Sequence, residues 1–160
     1  MKIGRLTVSD RAAAGVYENR SGPEIERLLR RTFGEQARFL AATVPDEFAL
    51  ISAKLQEWAD QDGVDLIATT GGTGIAARDV TPEATRAVLD KELPGFGEIM
   101  RAHSFATVCT ALLSRATAGV RGTTLILNLP GKPSAVAECL GLLADALREA
   151  VAHLRGADPD

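Results

Sequence analysis

The stretch 64-VDLIATTGGTGIAARDVTPEAT-85 decides how the rest of the chain is read. It begins as a near-continuous apolar run, empties into Gly71, Gly72 and Gly74, and closes on Thr81-Pro82-Glu83. Residues 64–70 therefore read as a strand buried on both faces, the pattern of a parallel sheet. Thr81-Pro82-Glu83 reads as a helix start: cap, first helical position and acidic first turn. A strand that runs into glycines brings backbone close to something. The question is what that something is, and what the acidic Asp79 between the glycines and the helix does.

Outward from this stretch, strands alternate with helices. Residues 3–9 and 38–44 read as strands, and residues 116–121 and 124–129 as two more around a Gly122 turn. Residues 10–22 read as a long polar loop. Pro23 opens a helix with Ile25, Leu28, Leu29 and Phe33 on one face. Phe48, Ile51, Leu55 and Trp58 mark the next, with Asp46 placed to cap it. Residues 96–109 and 134–155 read as two further helices, the second the longest. The expected fold is α/β, a three-layer sandwich with a mostly parallel central sheet flanked by helices. Residues 1–156 are expected to form one domain, and residues 157–160 a frayed tail.

Composition excludes several classes. The net charge is −3, basic residues occur only in short pairs such as Arg30-Arg31, and aromatics make up 4%. Nothing here would hold nucleic acid. No apolar run approaches the ~20 residues of a membrane span, and the charged start MKIGR is no signal peptide. Cys109 and Cys139 lack metal-site spacing and read as small buried apolar residues in a reducing cytoplasm.

In parallel sheets, ligands sit beyond the carboxyl ends of the strands. Ser9-Asp10, Val44-Pro45-Asp46, Thr70-Gly71-Gly72-Thr73-Gly74 and residues 128–132 all follow strands and are expected to gather at one edge. The glycine loop, Ser21-Gly22-Pro23 and residues 131–134 offer backbone N–H groups and helix N-termini, which favour phosphate. There is no P-loop motif. Gly72-Thr73-Gly74-Ile75-Ala76-Ala77 matches G-x-G-x-x-A, but a dinucleotide fold starts its helix within the glycines, and here it starts at Thr81. Asp46 and Asp79 beside these loops suit a Mg–nucleotide, since magnesium takes one or two carboxylates plus phosphates and waters. Each also has a plain reading: Asp46 as a helix cap, Asp79 as a turn residue. Ser114-Arg115 offers a guanidinium for phosphate or for a surface carboxylate.

Taken together, Val8-Ser9-Asp10, Ser21-Gly22-Pro23, Val44-Pro45-Asp46-Glu47, Thr70-Gly71-Gly72-Thr73-Gly74, Arg78-Asp79-Val80-Thr81-Pro82-Glu83, Leu113-Ser114-Arg115 and Asn128-Leu129-Pro130-Gly131-Lys132-Pro133 resemble the molybdopterin adenylyltransferase family. The resemblance spans nearly the whole chain. It implies adenylyl transfer from Mg-ATP to the terminal phosphate of molybdopterin, with release of pyrophosphate. The alternative within the same fold is a molybdopterin carrier or scaffold with weak or no transferase activity. By resemblance, Asp46 and Asp79 would be the catalytic carboxylates, with Asp79 holding Mg²⁺ at the α-phosphate or orienting the attacking phosphate. Thr70, Gly71, Gly72, Thr73, Gly74, Asn128, Pro130 and Gly131 would line the nucleotide or pterin side. Ser9, Asp10, Ser21, Gly22, Ser114 and Arg115 would contact pterin or phosphate. A homotrimer and hand-off to a molybdate-insertion protein are also implied. Lys132 departs from the family's Asn or Gln.

Overall fold

The computed structural model describes residues 1–157. The chain runs β1 (Lys2–Val8), α1 (Asp10–Ala13), α2 (Ser21–Phe33), β2 (Arg38–Val44), α3 (Phe48–Gln56), a π-helical turn (Glu57–Gln61) and β3 (Leu66–Thr70). It continues through α4 (Thr81–Arg86), β4 (Lys91–Glu92), α5 (Gly95–Phe105), a 3₁₀ turn (Cys109–Leu113), β5 (Ala118–Arg121), β6 (Thr124–Leu129) and α6 (Pro133–Leu154). The strands form one sheet in the order β2-β1-β3-β6-β5-β4. The first four in that order are mutually parallel, while β5 and β4 pair antiparallel.

Strand alternation divides two cores. On one face Ile3, Leu66, Ala68, Leu125, Leu127 and Leu129 pack against α2, α5 and α6. On the other, Leu6, Val8, Ile67 and Ile126 pack against α3, Trp58 and α4. All five residues of β3 are buried, which accounts for its unbroken apolar reading. This is the three-layer sandwich expected from the sequence.

Three local expectations need correction. Residues 10–22 are not one loop: α1 forms within them, its N-terminus capped by Ser9 Oγ, which accepts from the Ala12 N–H at 3.2 Å. Thr81 does not cap α4; its hydroxyl donates to the Gly71 carbonyl at 2.9 Å. Cys109 is exposed rather than buried, because α5 ends four residues earlier than the predicted 109 and the chain turns outward in the 3₁₀ segment. Of the tail, Ala157 still donates to the Ala152 carbonyl at 3.0 Å, and residues 158–160 lie outside the described residues.

The glycines after β3 answer the first question. Gly71 and Gly72 have φ of +96° and +66°, a region open to glycine and closed to most other residues. A Cβ on Gly71 would collide with the Val8 carbonyl oxygen at the end of β1, and one on Gly72 with Thr81 Oγ1. The backbone is close to the next strand and to the following helix. Gly71→Ala should therefore lower unfolding stability by about 2–5 kcal/mol in a urea titration, combining the left-handed and overpacking penalties. Gly141, inside α6 with open space around it, should gain about 0.5–1 kcal/mol as Ala.

Candidate functional site

The carboxyl ends of β1, β2, β3 and β6 share one edge, as the registers Val8↔Val44, Thr7↔Thr70 and Thr70↔Leu129 require. Chain direction across the sheet reverses between β1 and β3, the crevice where such sheets take ligands. The glycine loop lies there, and its polar groups are sorted. Gly71 O accepts from Thr81 Oγ1 at 2.9 Å and Gly72 O from the Thr81 N–H at 3.0 Å. Thr73 O accepts from the Arg115 N–H at 2.8 Å and Gly74 O from Arg115 Nε at 2.7 Å. All four carbonyls are tied to the protein. The N–H groups of Gly72, Thr73 and Gly74 have no protein acceptor among the described residues. Consecutive free N–H groups on a loop whose carbonyls are held back make an anion-binding concavity.

Two clefts adjoin this loop and share Gly131. The larger, about 520 Å³, is bounded by Thr73 and Gly74, Ser114, Pro130 and the first turn of α6, with Met100, Val108 and Leu113 giving an apolar wall. The smaller, about 250 Å³, is bounded by Gly71 and Gly72, Ser9, Ser21 and the carboxylates Asp46 and Asp79.

Neither aspartate is the N-cap of the helix that follows it. The N-cap of α3 is Glu47. Asp46 instead exchanges backbone–side-chain bonds with Asp10: Asp46 Oδ2 accepts from the Asp10 N–H at 2.8 Å, and Asp10 Oδ1 from the Asp46 N–H at 3.0 Å. Arg78 holds Asp10 in a fork at 2.9 and 2.7 Å. That guanidinium pulls the Asp10 carboxyl below its ordinary value, helped by the Asp46 N–H. Asp46 moves the other way. Burial raises it, and the charges of Asp10 and Asp79 add to the rise, against the Asp10 N–H bond and Arg78. Asp79 does close a turn, with Oδ2 accepting from the Ala76 N–H at 2.9 Å, and its carboxylate still lines the smaller cleft. Among the described residues no group of three or more His, Cys, Asp or Glu is placed to hold a metal ion.

Thr70, Gly71, Gly72, Thr73, Gly74, Ser9, Ser21, Ser114, Pro130, Gly131, Asp46 and Asp79 thus come together around the two clefts. Four expected residues line neither. Asn128 is fully buried; its amide donates to Thr69 and Thr85 hydroxyls at 3.1 and 2.9 Å and pins α4 to the sheet. Arg115 is spent on the Thr73, Gly74 and Asp79 carbonyls and on Glu83, so it straps the loop and is not free for phosphate. Asp10 is committed to Arg78 and Asp46. Gly22 is buried, its N–H bonded to Asn19 Oδ1 at 2.9 Å. Sequence reasoning missed Thr7, Asn19 and Arg20, which line the smaller cleft from β1 and the approach to α2.

Residues 4–149 match the family described as a probable molybdopterin binding domain. The chain belongs to this family. It is 49% identical over 145 residues to the molybdopterin adenylyltransferase of Helicobacter pylori strain J99, covering 91% of this chain and 82% of that one. The Escherichia coli K12 enzyme of the same name is 44% identical over 153 residues, 96% of this chain and 78% of that one. The solved structure of the molybdopterin biosynthesis enzyme MoaB from Thermus thermophilus superposes with a TM-score of 0.86 at 44% identity, covering 97% of this chain and 96% of that one. The glycine loop and both cleft aspartates lie inside the segment that matches the molybdopterin-binding family.

The raised Asp46 has a thermodynamic consequence. A carboxyl whose folded pKa exceeds its unfolded value costs no stability below both values and progressively more as pH rises through the folded one. Asn at this position keeps the acceptor for the Asp10 N–H and removes the charge. Asp46→Asn should therefore have a higher Tm than the native protein at pH 7, with the difference vanishing as pH falls through the carboxylate range. Calorimetry across that range checks the sign.

Proposed function

We propose that the chain works in molybdenum cofactor biosynthesis as a molybdopterin adenylyltransferase, joining the AMP of ATP to the terminal phosphate of molybdopterin and releasing pyrophosphate. The observation that carries this reading is the glycine loop: four carbonyls held by Thr81 and Arg115, three N–H groups left for an anion. The names of the relatives supply the substrates.

A phosphate oxygen of the pterin attacks the α-phosphorus of ATP. The Pα–O bond to the β-phosphate breaks as the new P–O bond forms, and pyrophosphate leaves with the electron pair. The nucleophile is already an anion, so no side chain has to remove a proton. The demand is to place two anions in line and hold their charge. The N–H groups of Gly72, Thr73 and Gly74 hold phosphate oxygens from one side, and the apolar wall of the larger cleft excludes water beside them. Arg115 acts through the loop, fixing Thr73, Gly74 and Asp79 without touching substrate. The crowded carboxylates Asp46 and Asp79 fit a divalent cation. They would hold Mg²⁺, which supplies neutralising charge next to the phosphates.

Residues 1–156 are proposed to act as one domain, assembled as a homotrimer. α5 and the 3₁₀ turn expose Ile99, Phe105 and Leu112, large apolar side chains outside the clefts that assembly would cover. Both cysteines are free, which fits the reducing cytoplasm. Delivery of the adenylylated pterin to a molybdate-insertion protein completes the proposal.

Asp79→Asn keeps the acceptor for the Ala76 N–H and should fold normally. Its turnover should fall at least ~10²-fold, the scale of losing one preorganised charge-stabilising group. Anaerobic incubation with molybdopterin and Mg-ATP, following adenylylated pterin and pyrophosphate, tests both statements. Pterin bound by the native protein without product would contradict the transferase.

A further inference from the structure

The smaller cleft is lined by a residue whose buried hydroxyl the protein leaves unused. Thr7 is 6% exposed and lines this cleft, and its Oγ1 has no hydrogen-bond partner among the described residues. Two hydroxyls beside it donate to backbone carbonyls. Thr70, its neighbour in register, donates to the Pro130 carbonyl at 2.6 Å, and Ser21 donates to the Gly131 carbonyl at 2.6 Å. Buried hydroxyls find partners in the large majority of proteins, so an orphan on a cleft wall points to an outside partner.

Strand alternation fixes where Thr7 faces. Ile3 packs in the core with Ile25 and Leu29 of α2, and Arg5 bonds Glu26 of α2 at 2.9 Å. Thr7, two residues on, faces the first turn of that helix. The first N–H groups of a helix have no partner within it. In α2, a helix of 13 residues, the Gly22 N–H goes to Asn19 Oδ1 and the Glu24 N–H to the Arg20 carbonyl at 3.3 Å, while Pro23 has none. The Ser21 N–H has no acceptor among the described residues. The Gly22 bond fixes the Asn19 oxygen, so its NH₂ is presented as a donor; it too has no acceptor among the described residues. Donors line this side of the cleft, and Asp46 and Asp79 stand on its wall as well.

We infer that Thr7 Oγ1, the Ser21 N–H and the Asn19 NH₂ form a second phosphate subsite, distinct from the glycine loop, at the N-terminus of α2. The inference rests on the reading above, in which two phosphate-bearing substrates meet. A helix N-terminus favours an anion, and one loop of three N–H groups does not hold both partners. The occupant is a phosphate group, either the terminal monoester of the pterin or part of the nucleotide's phosphate chain.

Inorganic phosphate and pyrophosphate, titrated calorimetrically in the presence of Mg²⁺, read this subsite without turnover. Thr7→Val is nearly isosteric and removes only the hydroxyl. Asn19→Asp keeps the Gly22 acceptor, replaces the donor NH₂ with an acceptor oxygen and adds a negative charge, so its effect should equal or exceed that of Thr7→Val. Each should weaken binding of these probes at least about 10-fold, the scale of a hydrogen bond to a charged group. Thr7→Ser should stay near the native affinity. Steady-state kinetics then distinguish the sources: a rise in KM for molybdopterin alone assigns the monoester, and a rise for ATP alone assigns the nucleotide. Folded Thr7→Val and Asn19→Asp proteins with native probe affinity and both KM values unchanged would overturn the subsite, leaving phosphate to the glycine loop alone. Absence of turnover in the native protein would instead count against the transferase reading, with the probe titration still deciding the subsite.

Discussion

The contact between Gly71 and the Val8 carbonyl sets the geometry of everything at the ligand edge. Two strands at the sheet's reversal point end side by side, and the chain leaving β3 must pass against the end of β1. Only a residue without Cβ passes there, and only left-handed backbone turns the loop back toward α4. Once it has turned, Thr81 and Arg115 collect its carbonyls, and the N–H groups of Gly72, Thr73 and Gly74 are left without an acceptor among the described residues. The unpaired N–H groups are thus a by-product of carbonyl satisfaction: the protein binds one side of each peptide and leaves the other without a partner among the described residues.

The same edge concentrates negative charge. Asp10, Asp46 and Asp79 meet where four loops converge, with Arg78 as the guanidinium in direct contact. The reciprocal Asp10–Asp46 bonds join the β1 and β2 loops, and Arg78 joins Asp10 to the segment that follows the glycine loop. This bracing keeps a partly buried carboxylate in place although burial and its neighbours disfavour its charge. A site arranged this way costs stability in the resting protein and recovers it when positive charge arrives.

Much of the fold was legible because its signals were local. β2 and β6 fall on the predicted residues, and α6 within one residue at each end, since apolar periodicity and Pro/Gly punctuation mark them directly. The short α1 was missed because four residues carry no periodicity; the capping Ser9 was its one available sign. In the site, the glycines and both aspartates were readable from type and spacing. The fates of Arg115 and Asn128 were not. An arginine or asparagine near a phosphate loop looks the same in sequence whether it meets a ligand or a carbonyl. Only the fold reveals that Arg115 faces the loop carbonyls and Asn128 the core threonines. Thr7 was invisible for the opposite reason: inside a strand it reads as an ordinary β-former.

The N–H groups of Gly72, Thr73 and Gly74 are proposed to receive the phosphates. Amide-resolved NMR during titration with magnesium and a non-hydrolysable ATP analogue tests it directly. These three amides should shift most and become protected from hydrogen exchange as the site saturates. Saturable binding that leaves all three unmoved would contradict it.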